Sequence, residues 1–354
     1  MPAGCDKSHP VFNSGIMTTL MNFWIKLKTL RQAQGKAITI LAPMANVTDF
    51  AFRQIVAQCG RPDVFYTEFL SCDGIVSKPE KFKGELYFEK LESPIVVQFF
   101  GAKPENFYKC AKLARELGYD GIDINMGCPD RSVEKQGAGA ALIKNPKLAQ
   151  EIIKSTMEGA RSTSSGQAGL PVSIKTRLGY NKIEIEDWIP CIAETKPAAL
   201  IIHGRTRKEM SKVDVHWDAI SRSREIIKSI NPETLVIGNG DVKDLESGYQ
   251  KSEEYKLDGI MIGRGIFENP WFFNVQSSVL HTPKERIGLM LEHINNFEKL
   301  WGRNKNFDVL KRFFKIYISE WPGAKELRTQ LMATKNGREV KDIVDSYLKN
   351  SVLY

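Results

Sequence analysis

The sequence predicts an α/β protein: a (β/α)8 TIM barrel followed by an all-α helical bundle. Eight short apolar runs, rich in Ile and Val, recur between residues 38 and 263, and segments with helical character separate most of them. Runs of this kind are typical of buried parallel strands. The first run continues into APMANVTD, not into the glycine-rich turn that opens a dinucleotide-binding doubly wound sheet. From Pro283 onward no strand pattern remains, which indicates a helical end to the chain.

The eight predicted strands follow one another with helices between them. They are ITILA (38–42), VFYTE (64–68), IVVQFF (95–100), GIDIN (121–125), VSIKT (172–176), ALIIH (199–203), LVIGN (235–239) and GIMIG (259–263). Amphipathic segments such as DFAFRQIVAQCG and PKLAQEIIKSTMEGARS predict the connecting helices. After the last strand, four further amphipathic segments predict four helices: ERIGLMLEHINNFEKLWG, FDVLKRFFKIYISEW, AKELRTQLMAT and VKDIVDSYLKN.

Three regions are therefore expected: an N-terminal arm at 1–36, the barrel at 37–280 and the helical region at 281–354. Within the arm, IMTTLMNFWIKLKTL (16–30) has helical apolar spacing. We expect a short helix packed on the barrel, not a membrane-surface anchor or a signal peptide, because polar residues interrupt the stretch and no small-residue cleavage site follows. No apolar run approaches the ~20 residues that a membrane span needs.

Composition indicates the structural class of the protein and the cellular compartment expected for it. With 42% hydrophobic and 26% charged residues, the chain is typical of globular proteins. Its six cysteines lack CxxC spacing, which indicates reduced thiols in a cytoplasm and neither a disulfide framework nor a zinc site. We therefore expect a cytoplasmic protein without a metal centre, and we expect a monomer.

The net charge of +8 lies at the two ends of the chain. The arm holds five Lys or Arg and one Asp, and residues 281–354 hold fourteen Lys or Arg and nine Asp or Glu. Basic flanks around a nearly neutral body suit a polyanionic partner such as nucleic acid. A solvated basic helix face would give the same pattern, so charge alone does not separate the two.

Chemistry in barrels of this kind sits at the carboxyl ends of the strands. The ends of runs seven and eight, GNGDV and GRG, are rich in glycine and include Arg264, which predicts a phosphate site; the glycines could also serve tight turns alone. Runs five and six end in four cationic or cationisable side chains: Lys175, Arg177, His203 and Arg205. These would repel one another unless an anion binds, so a phosphorylated cofactor whose ring becomes anionic on reduction would meet that need.

The stretch DINMGCPDRSVEKQGAG (123–139) begins as a buried strand and ends as a glycine-rich turn. Cys128 lies between the two, held by Gly127 and Pro129. On the residues alone, an inert small hydrophobic side chain and a catalytic thiol are about equally consistent with this position.

Six segments, in this order, resemble the tRNA-dihydrouridine synthases: APMANVTDFAFR, DINMGCP, SIKTR, IIHGRTR, IGNGDV and DGIMIGRGIFENPW. The helical region resembles that family's RNA-binding domain more loosely, through FKIYISEWPGAKELR. The resemblance implies an FMN-bearing barrel that uses NADPH to reduce the C5–C6 double bond of uridines in the tRNA D-loop. The basic arm and the helical region would then grip tRNA phosphates.

The same resemblance implies a role for individual residues. Cys128 matches the family's proton donor, and Asn125, Arg177 and Arg205 would face the uracil. The residues expected to hold the cofactor are Pro43, Met44, Ala45, Gln98, Lys175, His203, Asn239, Gly240, Asp241, Gly263 and Arg264. One departure is Asn46, where the family more often has glycine.

Two other functions remain possible on the sequence. One is a different FMN-dependent TIM-barrel oxidoreductase that acts on a small molecule, and the basic helical region argues against it. The other is a tRNA-binding chaperone without chemistry, and the presence of Cys128, Lys175 and His203 argues against that.

Overall fold

The computed structural model describes residues 22–161, 169–274, 281–302 and 304–350. Eight parallel strands are present: β1 (Ile38–Leu41), β2 (Phe65–Ser71), β3 (Ile95–Phe100), β4 (Gly121–Met126), β5 (Val172–Arg177), β6 (Ala199–His203), β7 (Leu235–Asn239) and β8 (Gly259–Ile262). They form one sheet in the order β1-β8-β7-β6-β5-β4-β3-β2. The sheet closes where Ile40 forms a parallel bridge with Val64, and the Leu41 amide donates to the Val64 carbonyl at 3.2 Å. The predicted (β/α)8 barrel is confirmed.

Side chains alternate between the inside of the barrel and the helical layer around it, as the two-residue repeat of a strand requires. Ile38, Ile40, Tyr66, Ile201 and Met261 belong to an inner apolar cluster. Their neighbours along the strands belong to a separate, larger cluster shared with the helices. The upper part of the interior is polar instead, with Gln98, Asp123 and Ser173 fully buried.

Nine helices from the arm and the barrel region surround the strands in the described residues. They are α1 (Phe23–Ala33), α2 (Phe50–Gly60), α3 (Cys72–Ser77), α4 (Pro104–Glu116), α5 (Arg131–Glu134), α6 (Pro146–Ala160), α7 (Ile185–Ala193), α8 (Trp217–Ile230) and α9 (Leu245–Glu254). Asp49 caps α2 by accepting the Phe52 amide, and Asp244 caps α9 by accepting the Ser247 amide. No helix in the described residues has the length and apolar content required to cross a membrane.

Helix α1 covers the amino-terminal end of the barrel. Trp24 is buried and joins the inner apolar cluster. Arg31 pairs with Asp63, and Lys28 lies 3.5 Å from Asp258; these aspartates precede β2 and β8. The helix expected in the arm is therefore present at Phe23–Ala33, while residues 16–21 lie outside the described part of the chain. Because this end is opposite the carboxyl ends of the strands, the expected phosphate-gripping role is not favoured for the described part of the arm.

The C-terminal region consists of α10 (Pro283–Trp301), a 3₁₀ helix (Phe307–Phe313), the single turn α11 (Phe314–Tyr317), α12 (Ala324–Met332) and α13 (Gly337–Asn350). We call residues 281–350 the helical tail. Thr282 and Glu285 form a capping box at the start of α10. The tail packs directly on the barrel, since the Phe52 ring of α2 contacts the tilted Phe313 ring with centroids 4.7 Å apart. The boundary expected near residue 280 adjoins residues 275–280, which lie outside the described part of the chain.

One predicted tail helix is wrong: the segment FDVLKRFFKIYISEW does not form a continuous α-helix. Its interruption at residues 316–318 coincides with hydrogen bonds from distant arginines. Arg286 of α10 donates to the carbonyls of Ile316 and Tyr317 at 2.7 and 3.0 Å, and Arg328 of α12 donates to the Ile318 carbonyl. The carbonyls that a longer helix would use are therefore already occupied.

Candidate active site

A cavity of about 330 Å³ opens at the carboxyl ends of β1, β5, β6, β7 and β8. Its volume falls within the range of small-molecule sites in proteins. Nine of the expected cofactor residues line it: Pro43, Met44, Lys175, His203, Asn239, Gly240, Asp241, Gly263 and Arg264. Arg177, expected to face the substrate, also lines the cavity. So does Pro129, the residue that follows Cys128. Because parallel strands end together at one face, residues far apart in sequence meet in this cavity.

The ends of β7 and β8 form one pole of the cavity. Asp241, in the left-handed region with φ of 43°, accepts a hydrogen bond from Arg264 at 2.7 Å and another from Arg205. These arginines, Arg205 first, hold the pKa of the Asp241 carboxyl below its usual value. A Cβ placed on Gly263 would meet nothing nearer than Ala42 at 4.0 Å, so this stretch of backbone is open to an approaching ligand. An exposed guanidinium beside open backbone suits a phosphate group.

The ends of β5, β6 and β7 form a second, cationic pole. Lys175 donates to the Asn239 side-chain oxygen at 3.1 Å, and Asn239 donates to the Met261 carbonyl at 2.8 Å. Burial, followed by the nearby Arg177, lowers the pKa of Lys175 to about 8. Burial and the surrounding cations lower the pKa of His203 well below its usual value, so its imidazole is neutral at neutral pH. Cations crowded in this way favour an anionic ligand.

Cys128 is held by hydrogen bonds to its backbone. The side-chain oxygen of Asn125 accepts the amides of Gly127 and Cys128 at 3.1 and 2.9 Å. The Cys128 carbonyl accepts the Ala140 amide at 3.0 Å, and a Cβ on Gly139 would lie only 2.8 Å from that carbonyl. Burial raises the pKa of the Cys128 thiol, which therefore keeps its proton at neutral pH. We call residues 127–140 the thiol loop. These contacts hold the backbone of the loop on both sides of the protonated Cys128 sulfur.

Arg177 braces the thiol loop. Its Nε donates to the Gly127 carbonyl at 2.7 Å, and its Nη1 donates to the carbonyls of Thr206 and Met210 at 3.2 Å. Burial lowers the pKa of Arg177 to about 10. A second tie runs from Arg207, whose Nε donates to Glu134 of α5 at 2.8 Å. The thiol loop and the loop after β6 therefore form one connected wall.

The structure does not place every expected residue on the cavity wall. Cys128 is half-buried and is not among the lining residues, although its neighbour Pro129 is. Ala45 is exposed beside the cavity, and the side chains of Gln98, Asn125 and Arg205 lie behind its lining. Gln98 is fully buried, donating to Asp123 at 2.7 Å and accepting from Asn125 at 2.9 Å. Arg205 is 2% exposed, donating to the Val213 carbonyl at 2.6 Å and to Asp241. For these three side chains the geometry favours support of the site over the direct ligand contacts expected from the sequence.

Several residues of the site were not predicted from the sequence. Ala42, Pro129, Met210 and Ser211 line the cavity without a predicted role there, whereas Val242 and Gly265, from the predicted glycine-rich strand ends, complete the lining. Asp123 lies in the polar barrel interior, where it accepts from Ser173 at 2.6 Å, and burial raises its pKa to about 7. The alternation along β4 places Asp123 inside the barrel with Asn125, which is the signal that could have found it. No comparable pattern marks the loop that carries Met210 and Ser211.

Comparison with known proteins gives the family. A family model described as Dihydrouridine synthase (Dus) matches residues 40–352. "Probable tRNA-dihydrouridine synthase" of Staphylococcus aureus (strain COL) is 43% identical over 331 residues, covering 92% of this chain and 95% of that protein. "Probable tRNA-dihydrouridine synthase 2" of Bacillus subtilis (strain 168) is 41% identical over 330 residues, covering 92% and 96%. Among solved structures, morphinone reductase in complex with tetrahydroNAD aligns with a TM-score of 0.46 and 13% identity, covering 69% of this chain and 88% of that one. From the family match and the identity to these relatives, the chain belongs to the dihydrouridine synthase family.

Proposed function

We propose that this protein is a tRNA-dihydrouridine synthase that reduces the C5–C6 double bond of a D-loop uridine, with bound FMN and with NADPH as reductant. The observation that carries the proposal is a half-buried thiol, Cys128, next to Pro129 in the wall of a cation-rich cavity at the mouth of the barrel. Membership of the dihydrouridine synthase family supports the proposed reduction of uridine. The cavity supports FMN as the bound cofactor.

The donor set of the cavity fits FMN. Arg264, oriented by Asp241 beside the open backbone of Gly263, would hold the phosphate. Lys175 and the neutral His203 would meet the polar edge of the ring system, and Pro43 with Met44 would pack on its apolar part. When bound, the flavin would supply the hydride for C6 of the uracil.

Cys128 would act as the general acid of the reaction. Negative charge develops at C5 and O4 of the uracil as C6 becomes saturated, and the Cys128 sulfhydryl donates its proton to C5. The raised pKa of the thiol keeps that proton available at neutral pH. The hydrogen bonds from the loop amides to Asn125 fix the approach of the sulfur, and precise placement of a reacting group strongly affects rate.

The cationic pole would stabilise the charge that accumulates during reduction. Lys175 is half-buried, so its electrostatic effect on a nearby anion is larger than in water. Arg177 adds a second fixed cation while it braces the thiol loop. Gln98, Asn125 and Arg205 would support these groups from behind the cavity wall.

The helical tail would bind the tRNA. Its side chains Lys325, Lys335, Arg338 and Lys341 are exposed and would contact phosphates. A uridine stacked within folded tRNA must leave its stack to reach the mouth of the barrel, and phosphate contacts offset part of that cost. The described part of the arm lies at the opposite end of the barrel, so we assign the binding of tRNA phosphates to the tail.

The test uses the purified full-length protein with FMN, NADPH and an unmodified tRNA transcript. We expect a yellow protein that forms dihydrouridine in the D-loop, detected by mass spectrometry of nuclease digests. A protein that binds no FMN, or one that consumes NADPH with small unsaturated carbonyl compounds and leaves tRNA unchanged, would contradict the proposal and favour the small-molecule oxidoreductase. A colourless protein that still binds tRNA would favour the chaperone.

A further inference from the structure

Two side chains of the helical tail reach the loop that carries part of the cavity wall. This β1–α2 loop (42–49) contains Pro43 and Met44, which line the cavity. At the end of the loop, one carboxylate oxygen of Asp49 accepts from Trp301 Nε1 at 3.1 Å and from Lys305 Nζ at 3.1 Å. Asp49 also caps α2, so the tail forms hydrogen bonds at the junction between this loop and the helix.

Lys305 makes a second contact, with Glu68 in the middle of β2. Its Nζ lies 3.5 Å from one carboxylate oxygen of Glu68, and the other oxygen of Glu68 accepts the amide of Asn46. Asn46 has a φ of 56°, a left-handed conformation that asparagine tolerates better than most other non-glycine residues. The conformation at Asn46 is therefore linked through Glu68 to a cation on the tail.

Because Asp49 and Glu68 are buried, the positive charge of Lys305 is needed to balance their negative charges. The side chains of Asp49 and Glu68 are 5% and 10% exposed, and in the described residues Lys305 is the cation within ion-pair distance of either carboxylate. Removing one partner from a buried ion pair leaves an uncompensated charge, which costs far more than removing an exposed pair. Without Lys305, two buried carboxylates would face each other beside the loop.

The rest of the loop would follow any movement at this point. The Met44 amide donates to Thr48 Oγ1 at 2.9 Å, and the Thr48 amide donates to the Met44 carbonyl at 3.0 Å. Arg53 of α2 donates to the Thr48 carbonyl at 2.8 Å. These hydrogen bonds connect the two ends of the loop, so a displacement of Asn46 or Asp49 would also displace Met44.

We propose that the helical tail completes the cofactor site, with Lys305 as a positioning residue that holds the β1–α2 loop in its cofactor-binding shape. The tail then has a second task besides binding RNA, and the barrel by itself would hold the cofactor weakly. The inference rests on the proposed function in one respect, the identity of the ligand as FMN.

The test compares Lys305→Met with Lys311→Met in the full-length protein. Lys311 is a matched control, since it lies six residues further along the tail, is also 16% exposed, and pairs with an exposed carboxylate, Asp308, at 2.6 Å. The readout is the Kd for FMN, measured by quenching of flavin fluorescence on titration with apoprotein. We expect Lys305→Met to raise the Kd about tenfold or more, equivalent to about 1.4 kcal/mol, and Lys311→Met to leave it within about twofold.

A second variant separates loop positioning from general damage. Adding Glu68→Gln to Lys305→Met removes one of the two unpaired charges and keeps an oxygen that accepts the Asn46 amide. We expect the double variant to bind FMN more tightly than Lys305→Met alone, a coupling that a nonspecific loss of stability would not produce. Wild-type affinity in Lys305→Met, or additive losses in the double variant, would overturn the inference. A wild-type protein that binds no FMN would instead refute the proposed cofactor.

Discussion

Lys175 gives the cavity a charge that depends on pH. Burial lowers its pKa to about 8, so the cation is present below that pH and is lost as the pH rises through it. Because FMN is an anion, its affinity for the apoprotein should be highest near pH 7 and should fall between pH 8 and 9. Titrations at each pH check this, with Lys175→Gln as the variant whose affinity stays flat over the same interval. An equal decline in Lys175→Gln would assign the dependence to another group.

Asp123 supports the thiol through two intervening amides. It accepts from Gln98, Gln98 accepts from Asn125, and Asn125 accepts the Cys128 amide. Asp123→Leu leaves the buried Gln98 amide without its acceptor and should destabilise the protein by about 1–3 kcal/mol. Asp123→Asn keeps an oxygen at this position and should lose much less. Chemical denaturation measures the stability, and turnover with saturating tRNA should fall in the same order, Leu more than Asn. Equal effects of the two substitutions would contradict this chain of support.

The thiol loop depends on a glycine for its shape. Gly139 has a φ of 60°, and a Cβ there would lie 2.8 Å from the Cys128 carbonyl and 2.9 Å from Val133. Gly118 has a similar φ of 82° but no atom within 4 Å of its Cβ position, so Gly118→Ala measures the backbone strain alone, about 1–2 kcal/mol. Gly139→Ala should cost more than this control and should also lower dihydrouridine formation, which Gly118→Ala should not. Denaturant titrations and turnover assays distinguish the two; equal losses would mean that the loop tolerates the extra methyl group.

At the level of elements, the strands were predictable and part of the tail was not. β3, β6 and β7 match the predicted bounds and the other strands differ by at most three residues, because a strand buried on both faces is apolar throughout and stands out in the sequence. The α-helix predicted over 307–321 is interrupted at residues 316–318, where Arg286 and Arg328 from other helices donate to the backbone carbonyls. The apolar periodicity of a segment carries no information about hydrogen bonds that its backbone accepts from distant side chains.

The candidate site was predictable to a similar degree. Residues at strand ends, such as Lys175 and Arg264, meet because the barrel gathers those ends at one face. Whether a side chain lines the cavity or supports it depends on strand register and packing, which is why Gln98 and Arg205 lie behind the wall instead. Lys305 could not be predicted, since it follows Asp49 by 256 positions and belongs to another region of the fold.

At the scale of the whole molecule, the two basic ends of the chain should differ in their effect on tRNA. Reversing exposed tail cations, as in Lys335→Glu with Lys341→Glu, should weaken tRNA binding and flatten its salt dependence by about 0.9 per lost phosphate contact on a log–log plot. Lys36→Glu, on the exposed arm at the opposite end of the barrel, is the control and should change neither. Filter binding at several salt concentrations gives both quantities. An equal loss from Lys36→Glu would return the arm to the tRNA interface.

Truncation of the tail illustrates how the regions depend on one another. Removing residues 281–354 would delete the exposed cations together with Trp301 and Lys305. We therefore expect a truncated barrel to lose both tRNA binding and much of its affinity for FMN, whereas surface charge reversals should lose only the first. A truncated barrel that retains flavin as tightly as the full chain would show that the tail and the cofactor cavity are independent.

The central claim, that Cys128 is the proton donor to the uracil, is tested most directly by measuring the two half-reactions of Cys128→Ala separately in a stopped-flow instrument. The account predicts that NADPH bleaches the flavin absorbance of the variant at the wild-type rate, while tRNA restores that absorbance at least about a hundredfold more slowly. If tRNA restored the absorbance of Cys128→Ala at the wild-type rate and dihydrouridine formed, the thiol would have no part in the proton transfer and the account would be wrong.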